Sequence, residues 1–160
     1  AAMARDNRRL VALREEMEVA DAYIFFVEQR FGNALEIRRE MAGEAAEASL
    51  PLMTVQPLLE NAVEHGIAPA GGGMITIRAR LDGPFLQLEI ANTGKGITPE
   101  DRERIDAALQ GSNTGEHLAL ANIVNRLRLI YGRDVSIEVE AGAETTVRIR
   151  IPQEQREEER

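Results

Sequence analysis

The chain has 160 residues and a formal net charge of −8; 44% of its residues are hydrophobic and 4% aromatic. That length fits one domain, or one domain with an extension, around a core of Leu, Ile, Val and Ala. The absence of cysteine excludes disulfide frameworks and thiolate metal sites, and the acidic balance argues against a nucleic-acid backbone or an anionic membrane as partner, though not against a nucleotide held with Mg²⁺ in a small pocket.

The opening Ala1-Ala2-Met3-Ala4 reads as an added leader before an internal start, so the chain is expected to be a piece of a longer protein. It shows no signal peptide and no apolar run near the roughly 20 residues that cross a bilayer. From residue 10 to residue 31 the apolar positions are Leu10, Leu13, Met17, Ala20, Ile24, Val27 and Phe31. Their alternating spacing of three and four predicts one long helix. A core-facing stripe is favoured over a dimer coiled coil. Val19, Tyr23 and Phe26 widen the stripe toward a further packing partner, and Gly32-Asn33 ends the helix. Residues 35–41 alternate as a strand, residues 43–49 form a turn or hairpin return, and Pro51 punctuates the chain.

Residues 55–65 are predicted helical, with Val55, Leu58, Leu59, Ala62 and Val63 buried, Thr54 as N-cap and Gly66 as the stop. Residues 74–81 and 85–91 form a hairpin turning at Asp82-Gly83-Pro84. A glycine-bearing loop at 92–97 leads to a short helix capped by Thr98 and running to about Leu109. After a polar loop at 110–115 comes a helix over 118–131, with Leu120, Ile123, Leu127 and Ile130 facing inward. Residues 135–140 and 145–151 are the closing hairpin strands. Antiparallel hairpins separated by helices predict an α+β two-layer sandwich, with helices on one face of the sheet.

Three polar clusters are candidates for chemistry. Asn61 and His65 lie one turn apart on a helix; an amide oxygen is a fair Mg²⁺ ligand, and an imidazole N–H can donate to phosphate. Asn92-Thr93-Gly94-Lys95-Gly96-Ile97 follows a strand, where glycines allow close backbone approach. Residues 111–122 run from a polar loop into a helix N-terminus, an anion site by its dipole. Taken singly, each is matched by an ordinary surface feature.

Their order decides more. The run Gln56-Pro57-Leu58-Leu59-Glu60-Asn61-Ala62-Val63-Glu64-His65-Gly66, with Pro51 before it, resembles the signature P-x-x-x-x-Q-P-L-x-E-N-A-x-x-H-G of the GHKL ATPase superfamily, specifically the LytS/YehU-type sensor histidine kinases. Leu13-Arg14-Glu15-Glu16-Met17 with Tyr23, Glu28, Arg30 and Phe31 is similar to that family's segment ahead of the nucleotide domain. Asn122 to Leu127 with Tyr131-Gly132, and Thr145 to Pro152, are similar to its later helix and closing strand. The resemblance covers roughly residues 13–152.

The resemblance implies a Bergerat-type fold and Mg-ATP as ligand. Asn61 would ligate Mg²⁺ and His65 would touch phosphate. Asn92 would stand where the family reads the adenine amino group, with Gly94 and Gly96 near the base and Thr145, or alternatively Thr146, close to it through a water. Residues 111–118, including Gly115, His117 and Leu118, would form the ATP lid. The domain plan it suggests is an N-terminal helix over 1–33 linking to a phosphoacceptor region outside this chain, a catalytic domain over 34–152 and a disordered charged tail over 153–160. The implied partners are a response regulator and the protein's own phosphoacceptor helix, in a full-length homodimer, with no nucleic acid. The implied setting is a cytoplasmic domain of an inner-membrane-anchored parent.

There are departures. Asn92 replaces the usual aspartate, which removes the charge that strengthens such a hydrogen bond. In the lid the family's G-x-G-L-x-N is here His117-Leu118-Ala119-Leu120-Ala121-Asn122. His117 is expected either to donate to phosphate or, more simply, to sit in solvent. The two histidines, His65 and His117, are outside any phosphoacceptor motif, so the chain as given cannot complete autophosphorylation. A degenerate module that signals by docking or dimer geometry is the alternative. A hydrolytic member of the superfamily fits poorly, because Pro57 stands one turn before Asn61, where the general-base glutamate would be.

Overall fold

The computed structural model describes residues 9–112 and 115–153. The first helix begins three residues later than its stripe suggests. Leu10–Ala12 forms a short strand, β1, paired antiparallel with β3, Ser49–Pro51. Helix α1 then runs Leu13–Phe31, its start closed by the Ala12 N–H donating to the Glu15 carboxylate at 3.0 Å. Leu13, Met17, Ala20, Ile24 and Val27 are buried as their spacing predicts, and Glu16 is buried among them. Leu10 is extended and 38% exposed, so it belongs to the strand and not to the stripe. Val19 and Phe26 find no further partner among the described residues and are 44% and 71% exposed.

The sheet is built from alternation. β2 (Leu35–Met41), β4 (Gly73–Asp82), β5 (Phe85–Asn92), β6 (Ser136–Glu140) and β7 (Thr145–Pro152) lie in the order β2-β4-β5-β7-β6. β2 runs parallel to β4 and every other pair is antiparallel. Because side chains alternate faces, the register sorts them into rows. Ile77, Ile90, Val147 and Val139 form one inner row; Ala79, Leu88, Ile149 and Ile137 form the next. All eight are buried.

The outer face carries a row of alternating charge across all five strands: Glu40, Arg78, Glu89, Arg148, Glu138. Each neighbour is paired, at 3.0 Å (Arg78–Glu40), 3.4 Å (Arg78–Glu89), 2.6 Å (Arg148–Glu89) and 3.3 Å (Arg148–Glu138). One face is therefore apolar and covered, the other ionic and wet, which is the antiparallel solution to burying half a sheet.

Helices cover the inner face. α2 (Val55–Ala62) passes through a π turn (Val63–Ile67) into α3 (Ala68–Ala70), and is followed by α4 (Pro99–Leu109) and α5 (Leu118–Tyr131). The α+β two-layer sandwich is thus as predicted. Two local expectations change. Thr54 does not cap α2 through its side chain; its hydroxyl donates to the Pro51 carbonyl at 2.6 Å instead. Gly66 does not end the helix. Pro69 has no N–H to give the His65 carbonyl, the helix widens so that the Ala68 N–H reaches the Val63 carbonyl, and the helix ends at Gly71, whose φ of 78° is left-handed. In α5, Leu120, Ile123 and Leu127 are buried while Ile130 is only partly so. At the far end Gln153 is held in place: its side chain accepts from the Ser49 N–H and donates to the Ser49 carbonyl, both at 2.8 Å. The rest of the expected tail, 154–160, lies outside the described residues.

Glu89 sits at the centre of the ionic row with 13% of its side chain exposed. Burial pushes its carboxyl up, but Arg148 and Arg78 outweigh burial and hold it below the ordinary value of 4.5. Its contribution is then complete above that value and is lost as the pH falls toward the lowered folded value. Glu89→Gln should cost about 1–3 kcal/mol at neutral pH. Urea melts should show the gap to the parent protein closing as the pH falls through 4.5 toward the lowered folded value; a gap independent of pH means the row is not acting through charge.

Candidate functional site

The same alternation that fills the core also aims the polar residues. Ile75, Asn92 and Thr145 lie in register across β4, β5 and β7, on the inner-face parity of Ile77, Ile90 and Val147. Asn92 and Thr145 therefore end the inner rows and face the helices. Opposite them stand Asn61 on α2 and His65 on the π turn. Between sheet and helices lies a cleft of about 610 Å³, part of it open to solvent.

Its lining divides by chemistry. Ala62, Ile97, Ile105, Leu120, Val139 and Val147 make apolar walls, with Asn92 and Thr145 beside them. Asn61, His65, Lys95 and His117 are a second, polar group, with Asp101 and Glu116 also at the lining. Apolar walls with a few placed polar groups are what a small-molecule site needs.

Close contacts hold this shape. Asn92 is 6% exposed and its amide donates to the Thr93 carbonyl at 2.7 Å. A Cβ on Gly66 would meet the Asn92 Nδ2 at 2.0 Å, so glycine is required there for packing. The Gly66 carbonyl accepts from the Lys95 N–H at 3.1 Å, which ties the 92–97 loop to the π turn. Gly94, with φ of 101°, leaves no room for a Cβ because the Gly66 carbonyl oxygen would be 2.5 Å away.

The lid residue His117 is not in solvent. It is 6% exposed, stands at the N-cap position of α5 and stacks on His65, ring centroids 4.2 Å apart and planes tilted 30°. Burial first, and then the neighbouring His65, push its imidazole below the ordinary 6.5. Lys95 pairs with Asp101 at 3.7 Å. Among the described residues, two buried side-chain atoms have no hydrogen-bond partner, Asn61 Oδ1 and His117 Nδ1, and both residues line this cleft. A buried oxygen without a partner is an expensive arrangement unless something binds it.

Of the sequence candidates, the structure brings together Asn61, His65, Asn92, Gly96, His117 and Thr145. Gly94 packs behind the cleft, against Gly66. Gly115 is exposed and Leu118 is 47% exposed, and neither lines the cleft. Sequence reasoning passed over Lys95, Asp101 and the apolar walls. Lys95 lay inside the quoted glycine loop, and Asp101 lies in the first turn of the helix that Thr98 caps. Ile97, Ile105, Val139 and Val147 carry no signal beyond ordinary core hydrophobicity.

Residues 47–155 match the family model of the histidine kinase-, DNA gyrase B- and HSP90-like ATPases. The chain belongs to this ATPase family. It is 32% identical over 142 residues to the sensor histidine kinase YpdA of Escherichia coli K12, which covers 88% of the chain and 24% of that protein. It is 25% identical to the sensor protein LytS of Staphylococcus epidermidis over 98% of the chain and 26% of LytS. The chain thus spans about a quarter of the length of these relatives. Among solved structures, the catalytic domain of histidine kinase ThkA matches with a TM-score of 0.68 at 16% identity, over 90% of this chain and 94% of that one. The fold is that of histidine kinase catalytic domains. ThkA in complex with the response regulator TrrA also matches, with a TM-score of 0.66 at 18% identity, covering 91% of this chain and 41% of that one.

Two outcomes follow for this member of the ATPase family. Gly66→Ala should drive Asn92 from its seat and cost about 1–3 kcal/mol by overpacking, seen as a lower melting temperature and a shifted Asn92 side-chain amide resonance; an unmoved resonance contradicts the packing role. His117 takes up its proton more readily unfolded than folded. Stability should therefore be fully present above 6.5 and fall as the pH drops from there toward the lowered folded value. His117→Gln should flatten that limb of the pH–stability curve, and an unchanged limb would show that His117 does not titrate as described.

Proposed function

We propose that the chain is the ATP-binding catalytic domain of a two-component sensor histidine kinase, presenting the ATP γ-phosphate to a histidine outside the chain. The observation that carries this is the pair of unpartnered buried atoms, Asn61 Oδ1 and His117 Nδ1, in a cleft also lined by apolar side chains. The apolar wall suits a flat purine, with Asn92 and Thr145 near its polar edge. The Asn61 end suits phosphates.

Among the described residues no group of three or more His, Cys, Asp or Glu assembles into a cation cage. An isolated amide oxygen fits a cation that takes few protein ligands and shares the rest with phosphate, as Mg²⁺ does. Asn61 would hold it, and when bound it neutralises phosphate charge. The chain's own residues do the rest. The apolar walls exclude water from the base, Lys95 and the two imidazoles face the anionic end, and Asn92 and Thr145 set the orientation of the base. Catalysis would then be positioning and charge neutralisation. Pro57, one turn before Asn61, leaves no carboxylate for the hydrolytic route.

The family match and the sensor-kinase relatives favour a working nucleotide site over a docking-only module despite the departures. Asn92 still lines the cleft, and His117, at the first altered lid position, lines it too. In the full protein the reaction would run from ATP to protein-histidine and on to a response regulator. The parent would be a homodimer, joined through helices N-terminal to this domain. The complex of ThkA with TrrA supports a regulator as partner. The parent would be a membrane-anchored sensor with this domain on its cytoplasmic side, where ATP is supplied; no helix among the described residues is long and apolar enough to cross a membrane.

Calorimetric titration with Mg-ATP and Mg-ADP tests this. Saturable binding is expected, weakened about tenfold or more by Asn61→Ala and by chelation of the cation. No heat at millimolar nucleotide overturns the reading.

A further inference from the structure

The helix that carries Asn61 begins without a cap of its own. The first N–H groups of a helix have no partner within it, and the Thr54 hydroxyl is turned away to Pro51. The missing acceptor comes from another helix. The Glu16 carboxylate of α1 accepts from the N–H groups of Met53 at 2.7 Å, Thr54 at 2.8 Å and Val55 at 2.9 Å. Glu16 is 2% exposed. A charge buried to that degree is costly unless it is fully hydrogen-bonded, and here the backbone of one turn supplies those bonds.

The turn it holds is strained. Met53 has φ of 64°, the left-handed region, and is the described non-glycine residue with positive φ. Its geometry is fixed from both sides. Glu16 takes its N–H, and Arg126 of α5 donates to the carbonyls of Leu52 and Met53, the former at 2.5 Å. Just ahead of the turn, the pairing of β1 with β3 fixes the start of α1 to residues 49–51, and the Leu13 N–H donates to the Ala48 carbonyl at 2.8 Å. Further along, Tyr23 of α1 is half-buried near Glu60 and Glu64, next to the site residues on α2 and the π turn. α1 itself leads back to residues 1–8 and, on the reading above, toward the sensor and phosphoacceptor parts of the parent.

We propose that Glu16 is a positioning residue of the nucleotide site, a carboxylate that couples the position of α1 to the helix bearing Asn61 and His65. In place, it holds the Met53 turn in its strained form and seats α2 with the Asn61 oxygen facing the cleft. Displacement of α1 along or away from α2 breaks all three bonds together. The turn then relaxes, the first turn of α2 frays, and affinity for Mg-nucleotide falls. A signal arriving as movement of α1 is thereby read at the phosphate end of the cleft without any residue of α1 touching the ligand. The affinity part of this proposal rests on the nucleotide-binding function above; the seating of α2 does not.

The test compares Glu16→Ala and Glu16→Gln with Val27→Ala, a cavity variant of a buried residue on the same helix that makes no contact with the Met53 turn in the hydrogen-bond network. Amide hydrogen exchange is measured on the nucleotide-free 160-residue chain, followed by Mg-ATP titration. In both Glu16 variants the amides of 53–62 should lose protection by about tenfold or more, while those of β5 change only as in Val27→Ala. Mg-ATP affinity should fall about tenfold in Glu16→Ala, less in Glu16→Gln, and by under about twofold in Val27→Ala. If Glu16→Ala does not fold, Glu16→Gln decides, because it keeps the shape and one acceptor oxygen. Exchange at 53–62 no faster in the Glu16 variants than in Val27→Ala overturns the coupling, as does unchanged affinity in a chain whose parent form binds. If the parent form does not bind Mg-ATP, the kinase reading fails and the exchange comparison alone decides whether Glu16 seats α2.

Discussion

One buried carboxylate organises the helical layer. A helix N-terminus is a set of donors that must be satisfied, and in α2 the satisfaction comes from Glu16, a residue of α1. That choice forces α1 and α2 into contact at a fixed register, because the carboxylate reaches three N–H groups only from one position. Arg126 on α5 then holds the same turn through its carbonyls. Burial pulls the guanidinium below the usual arginine range and the Glu16 charge opposes that pull. Three helices distant in sequence are thus referred to a turn of four residues, and the cleft-lining side chains on α2 inherit their position from it.

The sheet contributes a different kind of order. Period-two alternation sends the apolar residues of β4, β5, β6 and β7 to one face and the ionic row to the other. Asn92 and Thr145 are simply the polar members at the ends of the inner rows. The fold needs no special device to aim them at the helices. What is special lies on the helical side, where Pro69 removes a donor, the helix widens and Gly66 comes close enough to Asn92 that no side chain fits between. Site geometry therefore arises where a regular strand meets an irregular helix.

This contrast also explains what could be read from the sequence. The sandwich, the strands and the buried stripe of α1 were legible because burial imposes a period, and a period is visible in one dimension. Asn61 and His65 were legible because a helix puts residues four apart on one face. The Leu10 boundary was missed because three residues of a helical stripe also fit a strand, and only β3, which is too short to announce itself, decides between them. Gly66 read as a stop because glycine after a helix usually is one; its true constraint is the Asn92 side chain, 26 positions away. The burial of His117 depends on a ring stack with His65 that no local pattern encodes. The role of Glu16 was hidden for the same reason. As one glutamate among many, it acts through backbone groups whose identity does not depend on sequence.

The ionic row on the outer face has a further effect, because it ends on the two outermost strands. An open sheet has two unpaired edges, and each is a template on which a strand from another chain can add. Here β2 presents Glu36, Arg38 and Glu40, with side chains 59%, 54% and 53% exposed, and β6 presents Glu138 and Glu140, both 65% exposed. On the β6 side Arg102 of α4 also donates to the Val139 carbonyl at 2.8 Å, occupying an acceptor that an incoming strand would need. Adding a strand at either edge means crowding or desolvating these charges. The residues that keep one face of the sheet wet also guard the domain against edge-to-edge aggregation.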